Sequence, residues 1–228
     1  MQSEGSRNGS KGGSGIQAVI LDYGKVLALA PTREEFGRMA SKFNLSFEIF
    51  HKLWEAGRGA YDRDELTAEE YWLALGAQVH TALDDREIKK LRQIEIEIWC
   101  HLDSGMLAWV TQLRSAGIKT ALLSNMPRDL AAHLRTNCPW TENFTFKTFS
   151  AEVKRSKPDP AIYRHTLEGL GVAAAETLFV DDRENNVEAA RRLGIHAIQF
   201  QSIGQFRRDL KGLDFPILPV AAESSSAV

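Results

Sequence analysis

The sequence predicts an α/β fold: a parallel sheet flanked by helices, with a helical block inserted after its first strand. Three observations lead there. Five short apolar runs with β-branched content read as buried strands. The last four alternate with helical patterns that stop at glycine. Between the first two runs, about seventy residues are helical in period and hold no convincing strand.

In chain order, residues 1–15 are rich in Gly and Ser without an apolar core, so a flexible tail is expected rather than a signal peptide or an anchor. Strand runs follow at 17–22, 119–124, 144–149, 177–181 and 195–200. Helical patterns at 104–116, 128–136, 159–170 and 185–193 separate the last four or lead into them; Gly117 and Gly194 close the first and last of these patterns. The inserted block reads as helices at 34–43, 47–56, 68–75 and 85–101. Thr67 and Glu70 make a capping box that starts the third of these. The expected organisation is a core of residues 16–30 and 104–212, a helical cap of 31–103, and a frayed C-terminal tail of 213–228 marked by Pro216 and Pro219.

Composition narrows the function classes. Of 228 residues, 43% are hydrophobic and 25% charged, ordinary for a globular protein. A net charge of −2 gives no bulk attraction to nucleic acid or anionic membrane, so neither is an expected partner. Cys100 and Cys138 are the only cysteines and lie outside any C-x-x-C pattern, which excludes a disulfide or zinc framework. Two reduced thiols suit a cytoplasmic protein. No apolar run approaches the roughly 18 residues that span a bilayer.

Chemistry-bearing residues gather at the strand ends. Asp22 ends the first strand, Ser124 the second and Asp181-Asp182 the fourth, while Lys157-Pro158 opens the helix after the third. In a parallel sheet these positions converge on one edge. Each alone has a plain reading: a turn or helix cap for Asp22 and Ser124-Asn125, a solvated loop charge for Lys157, a macrodipole complement for the acidic pair. Together they are a carboxylate nucleophile, a hydroxyl, a cation and an acidic pair, the parts of a metal-assisted phosphoryl transfer.

The segments VILDYGKVL (19–27), LLSN (122–125), KPDPAIY (157–163) and LFVDD (178–182) resemble, in order, the four motifs of the haloacid dehalogenase superfamily. The resemblance covers about residues 16–205 and implies a Rossmann-like parallel sheet core with an inserted helical cap. It is closest to the sugar-phosphate phosphatase-like branch with Gly two places after the nucleophile. It implies a hydrolase of small phosphate esters in which Asp22 attacks phosphorus. Mg²⁺ is then expected on Asp22, the Gly24 carbonyl and Asp182, with Asp181 as a further ligand or an acceptor for metal-bound water. Ser124, Asn125 and Lys157 would hold the phosphoryl oxygens.

Position 24 departs from the pattern. Phosphatases of that superfamily carry a second Asp there, as acid and base, a group worth roughly 10²–10⁴-fold in rate. A slow phosphatase, another acid, or a preference for good leaving groups follows; Lys25 is expected in a salt bridge or in solvent, with Asp181 as a substitute for activating water. Two alternatives stay open, a 2-haloacid dehalogenase and a catalytically weak binding or regulatory member. The retained acidic pair speaks against the first, because without a cation it repels an anionic haloacid. In the insertion, the segment 55–62 is broken by paired glycines, so Arg58 and Tyr61 are expected on a loop that contacts substrate, whereas Trp54, Tyr71 and Trp72 at helical spacing read as cap core.

Overall fold

The structure, a computed structural model, describes residues 15–220; the expected N-terminal tail up to residue 14, and residues 221–228, lie outside the described residues. Strands β1 (Ala18–Leu21), β2 (Lys119–Ser124), β3 (Phe146–Phe149), β4 (Thr177–Asp181) and β5 (His196–Gln199) match the five apolar runs. They form one parallel sheet in the order β3-β2-β1-β4-β5. The most apolar strand, β1, is central, and all four of its residues are buried.

Strand side chains alternate between two faces, which divides the core. Val19, Leu21, Leu122, Leu178 and Val180 pack on one side against α6 (Ser104–Ser115), α7 (Arg128–Asn137) and α11 (Ile203–Gly212). Ala18, Ile20, Ala121, Leu123 and Phe179 pack on the other against α9 (Pro160–Leu170) and α10 (Glu184–Arg192). Each fully buried large apolar side chain contributes roughly 1.5–3 kcal/mol, so both helix layers are firmly held.

Five helices make up the insertion between β1 and α6: α1 (Arg33–Ala40), α2 (Phe47–Ala56), α3 (Arg58–Asp62), α4 (Ala68–Gln78) and α5 (Asp85–Ile98). Three begin at full capping boxes, Thr32 with Glu35, Thr67 with Glu70, and Asp84 with Glu87. Their apolar stripes close on a separate cluster that includes Phe36, Phe50, Trp54, Trp72 and Ile94. Polar contacts join this insertion to the sheet layer: Arg128 Nε reaches Asp64 Oδ1 at 2.8 Å, Arg92 pairs with Asp129, and the Ser150 hydroxyl, on the short helix α8 (Ser150–Val153), donates to the Asp62 carbonyl.

Two expectations change. The loop expected in 55–62 is absent: Arg58–Asp62 fold as α3, where Arg58 and Tyr61 find partners inside the insertion. Residues 213–220 are not frayed: Phe215 is buried in the core and the Trp109 indole N–H donates to the Ile217 carbonyl at 2.9 Å. No described helix is long and apolar enough to cross a membrane.

Candidate active site

Register brings the strand ends together. Leu21 of β1 pairs with Leu122 of β2 and with Val180 of β4, so the residues that follow emerge on one edge. The Asp22 N–H continues the ladder, donating to the Val180 carbonyl at 2.9 Å. Carboxylate oxygens of Asp22, Asp181 and Asp182 then lie within 4.8 Å of one another. Lys157 completes the cluster. Its ammonium is 2.8 Å from Asp22, 2.6 Å from Asp181 and 2.9 Å from the Leu123 carbonyl, which engages all three of its protons.

The surroundings fix this arrangement. Lys157 lies in the loop between α8 and α9 rather than at the helix start, and Asn125 pins it there. The Asn125 side chain accepts from the Lys157 N–H at 2.8 Å and donates to its carbonyl at 2.9 Å. Asp181 is fully buried and takes four contacts, from Lys157, from the Arg183 N–H at 2.9 Å, and from Asn186 Nδ2 at 3.0 and 3.1 Å. Those contacts use about all its lone-pair sites. Asn186 is itself held by the Tyr163 hydroxyl, which donates to its carbonyl at 3.0 Å.

Burial raises the Asp22 carboxyl; Lys157 opposes the rise and Asp181 and Asp182 add to it, leaving it pushed up to about 6. Burial also works against the charge on Lys157, but Asp181 and Asp22 overcome it and hold the ammonium above its ordinary value. Three carboxylates facing one buried cation leave the cluster short of positive charge. Its donors are hard oxygens, the set that Mg²⁺ prefers, so the residues present fit that ion. Asp182 is the more open of the acidic pair and pairs loosely with Lys25, 3.6 Å away and half exposed.

A family model for haloacid dehalogenase-like hydrolases matches residues 15–194. The chain belongs to that family. Sesquiterpene phosphatase astK of Aspergillus oryzae is 32% identical over 180 residues, 79% of this chain and 87% of that protein. Rat bifunctional epoxide hydrolase 2 is 29% identical over 129 residues; the match takes in 53% of this chain but only 23% of that longer protein. Among solved structures, a family enzyme from Bacteroides thetaiotaomicron, crystallised with magnesium and inorganic phosphate, superposes with a TM-score of 0.62 at 22% identity, covering 82% of this chain and 94% of that one.

Within this haloacid dehalogenase-like hydrolase, the edge of the sheet brings Asp22, Lys157, Asp181 and Asp182 together, with Asn125 bonded to the Lys157 backbone; Gly24 follows two residues after Asp22. Ser124 ends β2 almost buried. Asn125, expected on phosphate, has both ends of its amide on the Lys157 backbone, so it positions the lysine. Asp181, considered for activating water, is saturated by its four contacts and serves as an anchor.

Arg58 and Tyr61 are corrected outright. Arg58 is partly buried, paired with Asp62 at 2.8 Å and with Glu95, and its guanidinium stacks 4.5 Å from the Trp54 ring centroid. Tyr61 stacks on Tyr71 at 4.4 Å, with its hydroxyl 3.3 Å from Glu95. Both are interior to the insertion because the buried Glu95 carboxylate needs their donors. Residues that sequence reasoning missed are Asn186, Tyr23 and Trp99. An Asn pair one turn into the helix after the acidic pair was the available signal for Asn186; none pointed to the other two.

Proposed function

We propose that the protein hydrolyses small phosphomonoesters through an aspartyl-phosphate on Asp22, with Mg²⁺ as cofactor. One observation carries the reading: three carboxylates within 4.8 Å of one another share an edge with a buried lysine that touches two of them.

An Asp22 oxygen attacks phosphorus as the ester bond breaks, and water then displaces phosphate from the aspartyl group. Magnesium held by Asp22, Asp182 and the Gly24 carbonyl would offset the repulsion between carboxylate and phosphate dianion. Lys157 holds Asp22 in place and balances charge on the transferring oxygens, and Ser124 donates to one of them. Asp181 anchors Lys157. The helical insertion acts as a cap that closes over the edge and excludes water, supported by the contacts of Asp64, Asp62 and Arg92 with the sheet layer.

The acidic trio disfavours the dehalogenase alternative, since it repels an anionic haloacid. A weak binding or regulatory role draws on Gly24, which offers no acid. Phosphate release from a panel of phosphomonoesters, with magnesium and with chelator, separates these readings. Magnesium-dependent release that vanishes in Asp22→Asn supports the phosphatase; no release above that control supports the binding role.

A further inference from the structure

Trp99, directly after α5, is where the insertion returns to the core, and it packs against the hydrophobic clusters of both. Its carbonyl accepts a 2.6 Å hydrogen bond from the Tyr23 hydroxyl, next to Asp22 in the chain. Its ring covers Gly24: a Cβ added there would meet Cζ3 at 3.2 Å and Cη2 at 3.5 Å. The space beside the Asp22 turn into which a side chain at position 24 would grow is therefore filled by the carbon edge of an indole, which has no proton to give.

Among the described residues, the lysines and the tyrosine beside Asp22 are engaged. Lys157 has all three protons on acceptors. The Tyr23 hydroxyl is spent on Trp99, and burial raises its pKa further. Lys25 faces Asp182. Of the histidines on neighbouring elements, His101 faces Glu35 and His133 faces Cys100.

We infer that this site takes phosphoryl groups from leaving groups stable as anions, namely acyl phosphates, phosphoanhydrides and aryl phosphates, and discriminates against alkyl phosphates, with Trp99 as the apolar wall beside the departing atom. The inference rests on the phosphatase reading above and narrows its substrate class. The Asp22–phosphorus bond forms as the bond to the departing oxygen breaks. The electron pair leaves on that oxygen as a carboxylate, phosphate or phenolate, which needs no proton at that moment. Water then attacks phosphorus, Asp22 is released, and the water's proton passes to phosphate or solvent.

The test is kcat/KM at saturating magnesium for acetyl phosphate, a series of ring-substituted aryl phosphates and glycerol phosphate. It is run on the wild type, Lys25→Met and the double variant Gly24→Asp/Trp99→Ala. The wild-type rate should fall steeply with leaving-group basicity, and Lys25→Met should keep that slope. The double variant, with an acid installed and room for it, should gain on the order of 10²-fold on glycerol phosphate and show a flatter slope. A shallow wild-type slope, a slope steepened by Lys25→Met, or an unchanged slope in a folded double variant overturns the inference and leaves the phosphatase reading standing. No turnover of any substrate, acetyl phosphate included, overturns both. Should the double variant fail to fold, the wild-type series and Lys25→Met still carry the test.

Discussion

Asp181 has no exposed surface, and the Lys157 ammonium sits 2.6 Å from it. A buried cation so placed is needed twice, once for the fold and once for the chemistry. Lys157→Met leaves Asp181 and Asp22 without their counter-charge, and breaking a buried pair from one side costs about 3–5 kcal/mol. The unfolding free energy measured in urea should fall by that margin. Its phosphate release should also fall by roughly 10²–10³-fold, the loss that follows removal of a charge-stabilising donor. A stable variant with near wild-type rates would remove Lys157 from both roles.

Asp22→Asn is nearly isosteric and keeps an acceptor for the Tyr23 N–H, which now bonds Asp22 Oδ1 at 2.7 Å. Melting temperature should hold or change little, while turnover of every phosphate ester should vanish. Residual turnover that depends on magnesium would mean another nucleophile.

Arg58→Met tests the interior of the insertion. With the guanidinium gone, Glu95 remains buried without its cation, so stability should drop by about 3–5 kcal/mol. KM for a good substrate should stay near the wild-type value in the folded fraction. A raised KM with unchanged stability would return Arg58 to the substrate.

These outcomes show what the sequence could and could not disclose. The five strands were legible because β-branched apolar runs between helical patterns have few other solutions. Asp22, Lys157 and the acidic pair followed from them, since strand order in a parallel sheet carries chain positions to one edge. Arg58 was not legible. The Gly-Arg-Gly break reads as a loop, and its partner Glu95 sits in an Ile-Glu-Ile-Glu-Ile run of the expected helix that gives no sign of which carboxylate turns inward. Trp99 was hidden for a different reason: its contact with Gly24 is made across 75 positions of chain. The segment 213–220 looked like a tail because its prolines mask the burial of Phe215.

The contact between Asp64 and Arg128 should titrate at low pH. The hydrogen bond from Arg128 holds the Asp64 carboxyl below its ordinary value of 3.8. A depressed carboxylate contributes stability in full above the unfolded value, and loses it as pH falls through the folded one. Arg128→Gln should therefore lower the urea midpoint at pH values above the ordinary carboxylate range, and the difference from wild type should shrink below 3.8. An equal difference at all pH values would mean that Arg128 acts by packing alone.

Acid-quenched mass spectrometry on the peptide that contains Asp22, after mixing the protein with acetyl phosphate, addresses the chemistry most directly. With magnesium, a phosphoryl group should appear on Asp22, absent from Asp22→Asn and from samples treated with chelator. Phosphate released while Asp22 stays unmodified in burst-phase samples, or the same labelling after every divalent ion is removed, would contradict the account.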